Sequence, residues 1–522
     1  MDRTEDQITS ADRAQLAELD IAPDEVARQI ALFVDPPPAT QLDRPCTPGD
    51  GVQVLTDAER RAATAAYVAA AAAGRVSKFT PASGAASRMF QALLASRGEG
   101  SVERAGLAAR AAQGNAAARD TLEFVDQLER FAFCDVLRAA LARRSGRPLR
   151  DPLGAGTNDL APLLDALLTA DGLDYAASPK GLLLFHAYAD APRTAFEEQL
   201  VETAAVALAA DGTARLHLTV SPEHEAAFRA LLARVGPAYE RRWGARFAVD
   251  FSTQKGSTDT VAVDADNRPF RTADGRLLFR PGGHGALIEN LNDLRGDLVF
   301  IKNIDNVQPD HLRGAAIEWM RLLLGHLAAL QRERDAQLTA LATRPASVAA
   351  RSAAHDFATA RLNVALPADA AAPAIVAALD RPLRVCGVVR NTGEPGGGPF
   401  WVRETDGRLT VQIVESAQVD LRQPAQRAAF EAATHFNPVF LACAVRDAMG
   451  RPYDLRRFVD PRAVFISRKS KDGRELKALE RPGLWNGAMA AWTTLFVEVP
   501  NATFTPVKTI NDLLRPAHQP PR

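Results

Sequence analysis

Residues 76–89, VSKFTPASGAASRM, are the first stretch of the chain whose residue types suit phosphate chemistry. Strand-like residues lead into a run of small side chains, and Ser87-Arg88-Met89 then begins a helix-like segment. Small side chains let backbone N–H groups approach an anion, and a helix N-terminus carries partial positive charge. The stretch therefore predicts a phosphate-binding loop, and an ordinary strand-to-helix turn is the alternative.

A second candidate site is the pentapeptide Lys302-Asn303-Ile304-Asp305-Asn306, which follows a buried-type strand. A carboxylate just past such a strand lies at the carboxyl edge of an α/β sheet, where ligands usually bind. Asp305 could hold Mg²⁺, which binds to a few carboxylates together with phosphate oxygens, and Lys302 could offset phosphate charge. The alternative is an Asx-type turn with a solvated lysine.

Two further stretches could contact a ligand. Pro281-Gly282-Gly283-His284-Gly285 would let the backbone approach a planar or sugar-like group, with His284 as a hydrogen-bond donor. A tight turn would have the same composition. Lys180 precedes an apolar run and could reach into a cleft, although most such lysines are solvated.

The C-terminal part adds His435, Lys469 and Lys471, which could contribute to a phosphate site. It also contains the glycine-proline cluster GEPGGGPFW at residues 393–401, which is either a binding loop or a rigid turn. None of these stretches is specific by itself. The sequence has no HExxH, GxSxG or Walker A pattern and no zinc-ligand spacing.

Composition limits the class of protein. The chain has 522 residues, enough for two or three domains, and 47% hydrophobic and 24% charged residues are typical of a soluble globular protein. A formal net charge of −1 argues against a general nucleic-acid binder or an electrostatic membrane anchor. The four cysteines form no CxxC pair, and the polar N-terminus is no signal peptide, so a cytoplasmic location is predicted. The oligomeric state stays open.

The elements that must position these residues follow from periodicity and punctuation. Helices are expected up to residue 35, then a loop to about residue 54, then a helix that begins with the capping box Thr56–Glu59 and ends before Gly74. Strands and helices alternate from there, which predicts an α/β domain, and strands dominate beyond residue 383. We expect a helical N-terminal region (1–75), an α/β domain (76–345) and a β-rich C-terminal region (346–522).

The order and spacing of these motifs resemble the sugar nucleotidyltransferases, in particular the UDP-sugar and UDP-N-acetylhexosamine pyrophosphorylases. The resemblance rests on Ser83-Gly84-Ala85-Ala86-Ser87-Arg88-Met89, then Pro179-Lys180, the glycine loop 281–285 and Ile304-Asp305-Asn306. It covers about residues 76–310. The chain also resembles a bacterial family of unknown function that shares most of its length, including GEPGGGPFW and WNGAM.

The resemblance implies a GT-A-like mixed sheet and a Mg²⁺-dependent reaction. A sugar-1-phosphate would attack the α-phosphorus of a nucleoside triphosphate and release pyrophosphate. The backbone of residues 83–87 would hold the triphosphate, Arg88 would contact the leaving phosphates, and Lys180 would approach the substrate. The glycine loop and Asn306 would face the nucleotide or sugar, and Asp305 would bind Mg²⁺.

One residue departs from the resembled pattern. Ala86 stands where that family has the second glycine of its loop, and an alanine forced to a positive φ costs about 1 kcal/mol or more. A glycosyltransferase-like enzyme that uses a nucleotide-sugar donor and a non-catalytic nucleotide-sugar-binding protein are therefore alternatives. Asp264-Ala265-Asp266 has the letters of a metal-binding D-x-D motif, but in a predicted turn.

Overall fold

The computed structural model of the chain describes residues 8–99, 102–146, 158–393 and 396–521. Residues 1–7 of the predicted helical region, and Glu394 and Pro395 of the GEPGGGPFW stretch, lie outside the described residues.

The described α-helices, in chain order, are α1 (Ser10–Glu18), α2 (Pro23–Val34), α3 (Asp57–Ala72), α4 (Gln91–Gly98), α5 (Arg104–Ala112), α6 (Ala116–Asp126), α7 (Cys134–Ser145), α8 (Ala161–Leu168), α9 (Ala195–Val206), α10 (Pro222–Trp243), α11 (Ile288–Leu294), α12 (Gly314–Thr343), α13 (Val348–Asp356), α14 (Ala372–Leu379) and α15 (Pro424–Glu431). None of them combines the length and the apolar character that a membrane-spanning helix needs.

The described strands are β1 (Leu42–Pro45), β2 (Thr47–Pro48), β3 (Gly51–Gln53), β4 (Val76–Pro81), β5 (Leu184–His186), β6 (Arg193–Thr194), β7 (Thr213–Thr219), β8 (Arg246–Ser252), β9 (Thr260–Val261), β10 (Phe279–Arg280), β11 (Leu298–Lys302), β12 (Leu383–Arg390), β13 (Gly398–Arg403), β14 (Leu409–Val414), β15 (His435–Phe436), β16 (Phe440–Ala444), β17 (Phe465–Lys471), β18 (Arg474–Glu480) and β19 (Thr493–Glu498).

The chain divides into two compact units, each built from three separated stretches. The first unit comprises Met1–Phe79, Ser252–Ile301 and Met320–Asn501, and the second comprises Thr80–Phe251, Lys302–Trp319 and Ala502–Arg522. This division differs from the predicted boundaries at residues 75 and 345, because strands distant in sequence pair within the first unit. The predicted three-part division itself stays a prediction.

The first unit contains a mixed sheet with the strand order β2-β3-β19-β12-β16-β11-β4. Strand β12 pairs in parallel with β19 and antiparallel with β16, while β11 pairs in parallel with β4. Strands β12 and β16 are almost continuously buried and rich in Val, Leu, Cys and Ala, as expected for strands covered on both faces. The prediction of a mixed α/β fold is confirmed.

The second unit contains the neighbouring strands β7 and β8 and helices α4 to α10. Its core joins apolar side chains of these helices with Val507, Ile510, Leu513 and Leu514 from the C-terminal end of the chain. The apolar side chains between residues 507 and 514 are therefore part of this unit's interior.

Most predicted elements are present, with ends shifted by a few residues. The Thr56–Glu59 capping box is confirmed, and Gly74 has a φ of +69°, as a residue that ends a helix. The expected loop up to residue 54 instead contains β1, β2 and β3. These strands are too short for a periodic signal, and β3 forms because β19, more than 400 residues later, pairs with it.

Candidate functional site

The predicted phosphate loop leaves β4 and ends in a single 3₁₀ turn, Ala86–Arg88, before α4 begins. Gly84 and Ala85 are exposed, and their backbone N–H groups donate to no other residue in the described part of the chain. Exposed backbone donors beside a helical turn are the groups that an anion-binding loop requires.

Two hydrogen bonds fix the shape of this loop. Ser221 is the N-cap residue of α10, but its hydroxyl does not cap the helix and donates to the carbonyl of Ser83 at 2.7 Å. The N–H of Ala86 donates to the carbonyl of Ser178 at 3.0 Å, and Ala85 forms a β-bridge with Pro179. The loop is thereby tied to the segment that carries Lys180.

Ala86 itself is fully buried, and its φ is not positive. Its methyl group belongs to the core of the second unit. The backbone strain expected for an alanine at a glycine position is therefore absent, because any L-residue can adopt this backbone conformation.

Arg88 and Ser87 are exposed at the end of the loop. Across the described ranges, no carboxylate pairs with the Arg88 guanidinium and no hydrogen bond engages it. A planar guanidinium without a counter-ion is suited to a phosphate.

Lys180 lies in a 3₁₀ turn, Lys180–Leu182, and its ammonium has two acceptors. Its Nζ donates to Asp305 Oδ2 at 2.7 Å and to the carbonyl of Val507 at 2.7 Å. The side chains of Lys180 and Asp305 are 16% and 19% exposed, so the ion pair is partly open to solvent. The structure thus brings together the predicted loop, the predicted lysine and the predicted strand-end carboxylate.

A divalent cation would find one carboxylate here. Oδ2 of Asp305 already accepts from Lys180, and the described residues contain no group of three His, Cys, Asp or Glu side chains that could hold a metal ion. Mg²⁺ commonly binds through one or two carboxylates together with substrate phosphates and water. The donor set fits a cation that arrives with a phosphate ligand, and it does not fit an all-protein cage.

Two predicted site residues of the same pentapeptide lie inside the second unit. The side chain of Lys302 is fully buried, and its Nζ donates to Glu202 at 2.6 Å, so it does not fit the expected contact with phosphate. Asn306 is 1% exposed, and its Oδ1 accepts the N–H of Thr505 at 3.0 Å, so it does not fit a ligand contact either.

The glycine loop 281–285 belongs to the first unit, and packing explains its glycines. Gly283 has a φ of +75°, which favours glycine. A Cβ at Gly282 would lie 2.5 Å from the carbonyl oxygen of Thr258, and one at Gly285 would lie 2.0 Å from that of Pro482. Close backbone packing within the unit therefore requires these glycines without any ligand.

His284 is packed in the same way. Its ring stacks on Trp485 with centroids 4.2 Å apart, and its Nδ1 accepts the N–H of Leu484 at 3.1 Å. Burial lowers the pKa of His284, which keeps the imidazole neutral and leaves the proton on Nε2. The predicted role as a hydrogen-bond donor to a ligand stays a prediction.

The three predicted C-terminal site residues also belong to the first unit. His435 on β15 is 2% exposed, its Nδ1 is hydrogen-bonded to Thr434, and burial lowers its pKa, so it does not fit an exposed phosphate ligand. Lys469 and Lys471 lie on β17 of the β17–β18 hairpin. Neither forms an ion pair within the described ranges.

Residues 264–266, which have the D-x-D pattern, form a turn. Asp264 Oδ1 accepts the N–H groups of Asp266 and Arg268, each at 2.9 Å. This is an Asx turn, the alternative to a metal ligand at this position.

Sequence reasoning missed a buried polar cluster in the second unit. Glu198, fully buried, accepts from His186 Nδ1 at 3.0 Å and from the Tyr188 hydroxyl at 2.6 Å. His186 Nε2 in turn contacts His518 Nδ1 at 2.9 Å. The capping box formed by Thr194 and Glu197 was the one local signal, because the other partners are as much as 332 residues apart.

The fold is that of a mixed α/β protein, in which a loop with unbonded backbone N–H groups adjoins the segment of the Lys180–Asp305 pair. The chain belongs to the family described as "Domain of unknown function (DUF4301)", whose model matches residues 9–519. The prediction of a family of unknown function that spans most of the chain is confirmed.

No curated protein matches the chain in sequence. Among solved structures, the chain is similar to a UDP-glucose pyrophosphorylase mutant from Leishmania major, with 14% identity, a TM-score of 0.45 and coverage of 97% of this chain and 77% of that one. It is also similar to the UDP-N-acetylglucosamine pyrophosphorylase from Trypanosoma brucei, with 12% identity, a TM-score of 0.44 and coverage of 97% and 79%. Likenesses at this level carry no argument about function.

Proposed function

We propose that the protein is a nucleotidyltransferase that joins a nucleoside triphosphate to a sugar-1-phosphate or a similar phosphorylated metabolite. The observation that supports this proposal is the convergence, within the second unit, of three stretches far apart in sequence. The loop 83–88 offers free backbone donors and an unpaired Arg88, Ala85 is bridged to Pro179, and Lys180 lies 2.7 Å from Asp305.

In this proposal the N–H groups of Gly84 and Ala85 bind oxygens of the triphosphate. Arg88 binds the leaving β- and γ-phosphates through two N–H donors of its planar fork. Lys180 donates to the α-phosphate or to the attacking sugar phosphate. These groups hold the two reactants in line and offset their charge, which accounts for a transfer without a covalent intermediate.

The bond changes balance without a further reactant. A phosphate oxygen of the sugar-1-phosphate forms a bond to the α-phosphorus, and the bond from that phosphorus to the bridging oxygen breaks. Pyrophosphate leaves with the electron pair of that bond. Asp305 would hold Mg²⁺ that arrives with the triphosphate, and the cation would supply additional charge neutralisation on the phosphate oxygens.

Lys302 and His435 enter the proposal as structural residues. The Lys302 ammonium is fully buried and paired with Glu202, so a ligand that binds from solvent does not reach it. The substrates are proposed only as classes, because the glycine loop, which the resemblance assigns to base or sugar, lies in the other unit.

The test is release of pyrophosphate by the purified full chain with Mg²⁺, each of the common nucleoside triphosphates and a panel of sugar-1-phosphates. We expect release that depends on a sugar phosphate. Asp305→Ala should abolish it, while Asp264→Ala, a carboxylate in the Asx turn of the other unit, should leave it unchanged. Binding of nucleotide sugars without any release across the panel would refute the proposal and favour a binding protein.

A further inference from the structure

The C-terminal end of the chain, residues 502–521, contacts each of the three stretches of the candidate site. The N–H of Ile510 donates to the carbonyl of Met89, directly after the loop, at 3.0 Å. The N–H of Val507 donates to the carbonyl of Asp305 at 3.1 Å, and the Val507 carbonyl accepts from Lys180. This C-terminal segment is therefore built into the site.

The Val507 carbonyl has a specific effect on Lys180. A lysine ammonium has three N–H donors and rotates freely about its last C–N bond when it is solvated. Here two of the donors are bound, to Asp305 Oδ2 and to Val507, each at 2.7 Å. Two fixed donors of a tetrahedral group fix the direction of the third, and this third N–H has no partner among the described residues.

We propose that Val507 is a positioning residue of this site, and that the C-terminal segment sets the direction in which Lys180 donates to a bound phosphate. This inference rests on the proposed function for the identity of the ligand, but the geometry of Lys180 does not depend on it. The carbonyl of Val507 is a backbone group, so its position depends on what holds the segment.

Besides the bond from the Val507 N–H to the carbonyl of Asp305, two hydrogen bonds of Thr505 hold the segment. The N–H of Thr505 donates to Asn306 Oδ1 at 3.0 Å, and the Thr505 hydroxyl donates to the carbonyl of Val307 at 3.3 Å. Asn306 is buried, and residues Asn306 and Pro506 form a β-bridge. The amide of Asn306 is thus the side chain whose removal should release the carbonyl of Val507 from Lys180.

The test compares Asn306→Ala with Asn511→Ala in the full chain. Asn511 lies in the same C-terminal segment, and its Nδ2 donates to the carbonyl of Asp120 and to Glu123, away from Lys180. Each variant is labelled with acetic anhydride, and acetylation of Lys180 is followed by mass spectrometry. We expect faster acetylation of Lys180 in Asn306→Ala and the wild-type rate in Asn511→Ala, at melting temperatures that show both to be folded.

The kinetic arm separates positioning from mere stability. In Asn306→Ala we expect kcat to fall about tenfold with little change in KM for the nucleoside triphosphate, because orientation is lost and the charge of Lys180 remains. If Asn306→Ala does not fold, Thr505→Val, which removes only the hydroxyl bond, replaces it.

An unchanged acetylation rate of Lys180 in a folded Asn306→Ala protein would overturn the inference. Faster acetylation in a protein without any transferase activity would leave the positioning of Lys180 intact and refute the proposed function instead. Equal transferase activity and equal acetylation of Lys180 in both asparagine variants would refute the positioning by Val507 and leave the proposed function intact.

Discussion

Substitution of Arg88 tests the proposed site most directly, because this side chain has no other visible task. It is exposed, and within the described ranges it has no ion pair or hydrogen bond. Surface substitutions of this kind usually change stability by no more than about 0.5 kcal/mol. Arg88→Ala should therefore leave the melting temperature nearly unchanged.

The effect of Arg88→Ala on binding of the triphosphate should be large in comparison. A hydrogen bond to a charged group contributes about 1.5–3 kcal/mol, and each 1.4 kcal/mol is a factor of ten in affinity. Loss of the Arg88 fork should thus raise KM for the triphosphate about 10- to 150-fold. Arg88→Lys should fall between wild type and Arg88→Ala, because it keeps the charge without the two-donor geometry.

The assay is pyrophosphate release at varied triphosphate concentration, with the melting temperature measured on the same samples. Arg119→Ala is the matched control, because Arg119 is also an exposed arginine of the second unit without a partner in the described chain. Triphosphate kinetics that are unchanged in Arg88→Ala, or changed equally in both variants, would remove Arg88 from the site.

Gly84→Ala should leave stability unchanged, since a Cβ there meets nothing within 4 Å, but its methyl group should raise KM for the triphosphate. Ala86→Gly should lower the free energy of unfolding by about 1–2 kcal/mol in urea, from lost methyl burial and added backbone entropy, without improving KM. Lys302→Met should cost about 3–5 kcal/mol of that free energy, and adding Glu202→Leu should restore most of it. Burial lowers the pKa of His518 to about 3, below its value in the unfolded chain. The free energy of unfolding should therefore fall as the pH drops below about 6.5, by about 2 kcal/mol at pH 5. His518→Gln should flatten this pH dependence.

Local signals predicted the elements of the fold well. The capping box at Thr56 and the apolar runs that form β11 and β12 depend on residues adjacent in sequence, so the sequence itself shows the interactions that form them. The short strand β3 has no such signal, because it exists only through its pairing with β19.

The candidate site was predictable in part for the same reason. A loop of small residues and a strand-end carboxylate are local patterns, and both lie where the sequence suggested. The partner of a buried charge is not local: Lys302 meets Glu202, 100 residues earlier, and only the folded chain separates this structural lysine from Lys180. Val507 had no signal at all, since its contribution is a backbone carbonyl.

Ala86 combines a local sequence pattern with contacts to residues distant in sequence. Its N–H is bound to the carbonyl of Ser178 and its methyl group is in the core, so neither is available to a ligand. The free donors of the loop are those of Gly84 and Ala85, before the helical turn rather than within it. In the proposed function an anion bound there would lie beside the segment that carries Lys180, because Ala85 is bridged to Pro179. The alanine that departs from the resembled pattern is thus compatible with a phosphate site, because it anchors the loop while its neighbours offer the donors.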